Sequence, residues 1–161
     1  YEGSTVSGDR VVADTASNLL WHQSGSAVPL DYFAAQDWID DLNQRRYAGR
    51  SAWRLPTVDE LLTLLETTPT SSAARVNAVF SDVQTMTWTA DGCYPGRAWA
   101  VNFGKSMSTV WDIVKTRVAF VRPVTAWRRR CTDTSTWGIT FSTLSPGRPS
   151  TGRRPPGLRL P

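Results

Sequence analysis

Acid–base chemistry in this chain would have to run through very few groups. His22 is the one histidine. Asp37 and Asp41 stand four residues apart, which puts two carboxylates on one face of a helix. That arrangement serves a general acid and base, or holds calcium. Solvated aspartates on an outer helix face share the same spacing. A Ser–His–Asp or Cys–His nucleophile would have to recruit His22. It follows Trp21 at the end of an apolar run, with no GxSxG segment nearby and no glycine-rich phosphate loop in the chain. The expectation is a protein that is not an enzyme, with a hydrolase using Asp37, Asp41 or His22 as the competing class. Convergence of those three groups in one concave pocket would favour the enzyme.

Binding chemistry is better represented. The chain holds eight tryptophans, and an exposed indole offers a face on which sugar rings stack. Arg97, Lys105, Lys115 and Arg117 follow one another after residue 90, and Asp112 follows Trp111. Residues 90–117 are therefore the expected contact surface, with Trp111 stacking and Arg97, Lys105 and Asp112 hydrogen-bonding. Ordinary surface charge is the alternative reading of the basic residues. The tripeptides Glu-Pro-Asn and Gln-Pro-Asp are absent, and Trp111–Asp112 lacks an accompanying Asn, which argues against calcium-dependent sugar coordination. No metal and no cofactor is expected. Cys93 and Cys131 form no CxxC pair. In an oxidising compartment they would pair and tie the end of the chain to its body; two free thiols are the other reading.

Residues 11–13 and 19–22 read as two strands across a polar turn. A helix is expected over residues 31–49, with Asp31 as its N-cap and Ala35, Trp38, Ile39 and Leu42 as its apolar stripe. A second spans residues 57–66. Pro56 fixes its entry, and Thr57 and Glu60 form a capping box. Arg54, beside it, reads as bonding backbone carbonyls or a carboxylate near that helix, with an anion receptor as the functional alternative. Residues 76–80 read as one further helical turn. Strands are expected over 86–89, 98–103, 110–114 and 118–121, with Pro123 at the end of an edge strand. Two early helices and a late antiparallel meander make an α+β plan.

The 161 residues suit one compact domain plus an appendage. Residues 1–125 hold 11 Lys and Arg against 13 Asp and Glu, whereas residues 126–161 hold seven Arg and one Asp. The body is thus mildly acidic, which argues against nucleic acid beyond weak binding by the basic tail. The boundary is placed at 125/126, with 126–161 a flexible tail rich in Pro, Ser and Arg. No apolar run approaches the roughly 18 residues that span a bilayer. The chain begins at Tyr1 without an initiator Met, and reads as a processed form or a fragment.

The stretch Trp53–Arg54–Leu55–Pro56–Thr57, followed by Glu60–Leu61, resembles the central signature of a family of bacterial domains. That family is typified by the C-terminal domain of the Legionella collagen-like adhesin. Other pieces fall in the family's order: residues 13–21, Trp38, residues 77–80, Trp88–Thr89, residues 98–103 ending at Phe103, and residues 121–124. The resemblance covers about residues 8–125. Ala52 replaces the usual Asp before the central Trp, and Asn18 replaces the usual Gly of the opening turn.

The resemblance implies a C-type lectin-like fold, two helices flanking antiparallel strands with long loops. It also implies secreted or cell-surface placement in a bacterium, and an adhesive or sensing role. The adhesin's trimer extends to this chain as a homo-oligomer, but its sulfated-glycan ligand does not, given the acidic body. Trp21, Trp38, Trp53, Trp88 and Trp99 fall on the signature and are expected in the core, whereas Trp111 lies outside it. The reading is a non-catalytic recognition or adhesion module for a glycan or protein ligand. A structural or sensory domain contacting its own copies or neighbours is the alternative.

Overall fold

The computed structural model describes residues 1–66, 75–81, 84–104 and 109–127. All of them belong to one compact unit. Among the described residues, two antiparallel sheets and two α-helices, with a short 3-10 turn at Tyr47–Gly49, make it an α+β domain. The first sheet has four strands, β1 (Glu2–Val6), β2 (Asp9–Asp14), β3 (Leu19–His22) and β7 (Val124–Ala126), in the order β1-β2-β3-β7. The second has three, β4 (Met86–Gly92), β5 (Arg97–Asn102) and β6 (Thr109–Val114), in sequence order. Between the sheets in sequence lie α1 (Tyr32–Gln44) and α2 (Val58–Leu62).

Local chemistry explains the turns. Ser7 and Gly8 both take positive φ, 52° and 89°, in a two-residue hairpin that sets Val6 opposite Asp9. Asp14 accepts from the amides of Ala16 and Ser17 and from the Ser17 hydroxyl, which closes the β2–β3 turn. Asn18 adopts φ 56°, a left-handed conformation that asparagine tolerates better than most residues with a side chain. β1 was not foreseen. Every residue of its sequence EGSTV is exposed, so it carries no alternating apolar pattern to read.

Asp31 caps α1 by accepting from the amides of Phe33 and Ala34, and Tyr32, Ala35, Ile39 and Leu42 face inward. The helix stops at Gln44, short of the expected Gly49. Arg46 and Ala48 take left-handed φ values of 53° and 50°, which end the helical ladder. The break turns Tyr47 inward, where its hydroxyl donates to the Arg10 carbonyl and accepts from the Arg10 amide. α2 is also shorter than expected. Leu65 leaves the helix to bridge with Val76, and Val76 lies in that bridge rather than in a helical turn. The capping box is present in full: Thr57 Oγ1 accepts from the Glu60 amide, and the Glu60 carboxylate accepts from the Thr57 amide.

Two cores lie on the two faces of the strands. Val11, Ala13 and Leu20 pack with α1, Tyr47, Trp53, Trp88, Ala98, Ala100 and Val121. Val12, Trp21 and Val124 turn the other way, against Leu61, Leu64, Phe80, Val101 and Phe103. Adjacent strand residues thus feed opposite cores, as the pleat requires. Three of the five signature indoles, Trp21, Trp53 and Trp88, are buried. Trp38 is partly buried against the first core. Trp99 stands apart from both cores and is partly exposed, a correction explained by its register position opposite Asp112 at the polar end of β5 and β6.

Residues 118–121 do not form the expected fourth strand of the meander. Ala119 pairs antiparallel with Leu30, while Phe120 bridges Thr87 in parallel. The segment turns from one partner to the next, so no ladder propagates. It continues through Arg122 into β7, which pairs with β3 and bridges Arg54 through Val124.

Arg122 is 1% exposed. Its guanidinium donates to the carbonyls of Gln23 (2.6 Å) and Ser81 (2.8 Å) and lies 5.0 Å from the centre of the Phe80 ring. Desolvation pulls its pKa down to about 10, so it stays charged at neutral pH. Around it, Ser26 and Val121 exchange hydrogen bonds, and the Gln84 side chain donates to the Ser26 carbonyl. Gly25 takes φ +64° here, and a Cβ would run into the Gln84 carboxamide and the Val121 carbonyl.

Arg122→Met is therefore expected to lower unfolding free energy by about 2–4 kcal/mol, since it strips the donor from buried carbonyls. Arg122→Lys should stay destabilised, because an ammonium is a point charge that does not span two carbonyls as the guanidinium fork does. Urea denaturation midpoints check both; a wild-type midpoint in either variant contradicts the role.

Candidate functional site

The residues expected after position 90 separate into two faces. Trp111 and Asp112 are neighbours on β6, so their side chains leave opposite sides of the sheet. Asp112 shares its side with Arg97. Arg97 Nε donates to the Asp112 carboxylate at 2.8 Å, and Nη2 donates to the Asp112 carbonyl at 2.9 Å. Both side chains are partly exposed. They are committed to each other and fasten β5 to β6.

Trp111, 43% exposed, lines a shallow groove of about 300 Å3 on the other side, with Met86, Ile113, Arg117 and Val118. The Arg117 side chain has no ion pair among the described residues. The groove thus has an indole wall, an aliphatic floor and one free cation. Trp111 sits on β6, at the edge of the second sheet and within the strand expected over 110–114. Arg117 was read only as one of several basic residues. What reveals it is Val118 and Met86 closing the groove beside it. Lys105 and Cys131 lie outside the described residues. Cys93 is partly buried.

The three acid–base candidates are not brought together. Asp41 pairs with Arg45 on α1 at 3.4 Å, with both side chains exposed. Asp37 lines a different groove, beside Asp40 and Tyr32. His22 is buried, stacked on Tyr47 at 4.5 Å between ring centres, with Trp38 and Trp53 nearby. Its Nδ1 accepts from the Gly25 amide at 2.9 Å, which leaves the proton on Nε2. Burial, then the charges of Arg122 and Arg45, push its pKa down to about 4. It is a neutral, packed ring at pH 7. Among the described residues no group of three or more His, Cys, Asp or Glu gathers as a metal set.

Arg54 grips Glu60 through two parallel hydrogen bonds of 2.8 and 2.7 Å and also donates to the Leu55 carbonyl. The Glu60 carboxylate is held below its ordinary pKa, first by Arg54 and also by the Thr57 hydrogen bonds. One carboxylate thus closes the capping box and anchors the arginine, and Arg54 faces its own helix rather than an external anion. Asn43 adds a second brace: its side chain exchanges hydrogen bonds with the backbone of Trp53.

Taken together, these features define an α+β domain in which Arg54, Glu60, Asn43 and the buried indoles hold the fold, while Arg117, Asp37 and Asp40 lie on open grooves. The chain belongs to the Lcl C-terminal domain family, which matches residues 10–125. No curated protein matches it. No helix among the described residues is long and apolar enough to cross a membrane.

His22 binds protons more readily unfolded, where its pKa is about 6.5, than folded, where it is about 4. Between those values the unfolded state carries the extra proton, so stability falls as pH drops through that window, by about 3 kcal/mol in all. Glu60 works in the adjacent window: its contribution is present above the unfolded carboxylate value and is lost as pH falls through its lower folded value. The prediction is that His22→Phe flattens the stability profile between pH 6.5 and 4 while leaving the steeper acid limb. Urea midpoints across that range check it; a variant with the wild-type slope contradicts it.

Proposed function

We propose that this domain is a non-catalytic recognition or adhesion module, acting outside the cell or at its surface. Its contact surface is the Trp111 groove. The single observation carrying this reading is the pairing of a strand-held, exposed indole with an unpaired Arg117 across a groove of about 300 Å3. An indole face takes the apolar side of a sugar ring or an aromatic side chain. The guanidinium supplies donors to a hydroxyl or carboxylate at its edge. The placement of the grooves supports the non-catalytic part, since His22 is buried and Asp41 is paired. Family membership supports the adhesive role and the external location, and the α+β layout agrees with a C-type lectin-like arrangement. The ligand is a glycan or a protein segment, and Lys105 belongs to the candidate surface by its place in sequence.

This reading narrows the surface from the whole of residues 90–117 to one side of the second sheet. Arg97 and Asp112 act on it indirectly, by fixing the β5–β6 register that orients Trp111. A structural role with copies of the same chain as partners would use the same exposed groove.

Trp111→Ala is expected to weaken binding to a responsive glycan or protein by about tenfold or more without changing the melting temperature, because the ring is an exposed anchor. A glycan array, followed by titration of the best responder, is the measurement. Retained affinity in Trp111→Ala would move the contact surface elsewhere, and a matching loss in Asp41→Asn would mark the binding as nonspecific charge attraction.

A further inference from the structure

We propose that the Trp111 groove takes the terminal residue of a glycan that carries one carboxylate and one N-acetyl group. The inference rests on that groove being the contact surface, and it names the chemistry of the occupant. Each part of the groove answers one part of such a sugar. The exposed Trp111 indole offers a face to the C–H side of the ring. Met86, Ile113 and Val118 supply an aliphatic lining for the acetyl methyl. Arg117 supplies a planar fork of donors that matches a carboxylate. The volume, about 300 Å3, suits one terminal residue rather than a long segment.

The backbone that carries Arg117 is pinned on both sides. The Arg117 amide donates to the Val114 carbonyl at 2.9 Å, which closes a turn at the end of β6. Inside that turn, the Lys115 amide donates to the Gly96 carbonyl and the Lys115 carbonyl accepts from the Tyr32 amide. Just beyond it, Ala119 exchanges two hydrogen bonds with Leu30. The guanidinium itself has no hydrogen bond or ion pair among the described residues. On the other wall, the β5–β6 register sets Trp111 opposite Ala100. Little backbone ordering is left for a ligand to impose.

Charge decides between anions. Among the described residues no Asp or Glu lines the groove, so an entering anion meets Arg117 without a competing carboxylate. Lys115, two residues away, is engaged over the Tyr32 ring at 4.4 Å from its centre. The groove thus offers one cation on a body with 13 Asp and Glu against 11 Lys and Arg in residues 1–125. That setting matches one carboxylate and does not attract a polyanion. Backbone bonding argues against an extended peptide. The carbonyls of Val110, Asp112 and Val114, alternate residues of edge strand β6, already accept from the Thr109 hydroxyl, Arg97 Nη2 and the Arg117 amide. An added strand would compete with those bonds for its ladder.

The test titrates the full chain with the methyl α-glycoside of N-acetylneuraminic acid, followed by calorimetry and by NMR of the Trp111 indole N–H. Saturable binding is expected, with a shift at Trp111. The methyl ester of the same glycoside keeps every group but the charge and should bind about tenfold more weakly. The methyl glycosides of N-acetylglucosamine, which lacks the carboxylate, and of glucuronic acid, which lacks the acetyl group, should each bind about threefold more weakly or worse. Arg117→Gln should weaken binding of the acidic glycoside by about tenfold at unchanged melting temperature. Arg10→Gln, which removes the same charge from an exposed position on β2, should leave it unchanged. The inference is overturned if the glycoside does not saturate, if its ester binds as tightly, or if Arg10→Gln weakens binding as much as Arg117→Gln. A different ligand that loses affinity in Trp111→Ala but not in Arg117→Gln also overturns it, while keeping the groove as the contact surface. Ligand binding that is indifferent to Trp111→Ala overturns both.

Discussion

Among the described residues, no carboxylate meets the buried guanidinium of Arg122, and the fold is arranged to tolerate it. A charge taken out of water must be hydrogen-bonded in full or nearly so. Arg122 satisfies this with two carbonyls from segments far apart in sequence, Gln23 and Ser81, and with the face of Phe80. Nε remains unpaired, a local exception to that rule. For these partners to converge, the loop after β3 and the segment before β4 must already be in place. The arginine thus makes its neighbours interdependent.

The same constraint runs along residues 119–126. Ala119 exchanges two hydrogen bonds with Leu30, Phe120 donates to Met86 and accepts from Trp88, and Val121 accepts from Ser26. Pro123 accepts from His22, and Val124 exchanges two bonds with Arg54. One extended segment therefore touches the first sheet, the second sheet, the entry to α1 and the signature before α2. Proline at 123 fits because it gives up only a donor, and its carbonyl is the group that His22 uses. The binding face depends on this seam at one remove. It fixes β4, β4 fixes β5, and β5 carries β6 with Trp111.

Much of this was legible in the sequence, for reasons that are local. Asp31 and the Thr57–Glu60 pair announce helix starts because capping needs particular side chains at particular offsets. The indoles at 21, 53 and 88 mark the core because they stand in apolar, periodic surroundings. The failures are tertiary. Whether Ala119–Phe120 joins a ladder depends on which partner each residue finds, and nothing in its own pattern records that. Trp99 carries the same signature-type indole as Trp88 but lies on the other side of the sheet, by one residue of register. Arg97 and Asp112 are fifteen positions apart and look like free ligand groups until pairing sets them side by side. His22 was a candidate base only so long as its burial was unknown.

Native-state hydrogen exchange tests the central claim most directly, that the seam through residues 119–126 holds the two sheets as one cooperative unit. The amides of His22, Arg54, Trp88, Phe120 and Val124 donate the bonds along that seam. They are expected to exchange only through global unfolding, at the same free energy as the buried amides of β5. Exchange of these five by a lower-energy local opening, with β5 still protected, would show that the sheets are stable apart and contradict the account.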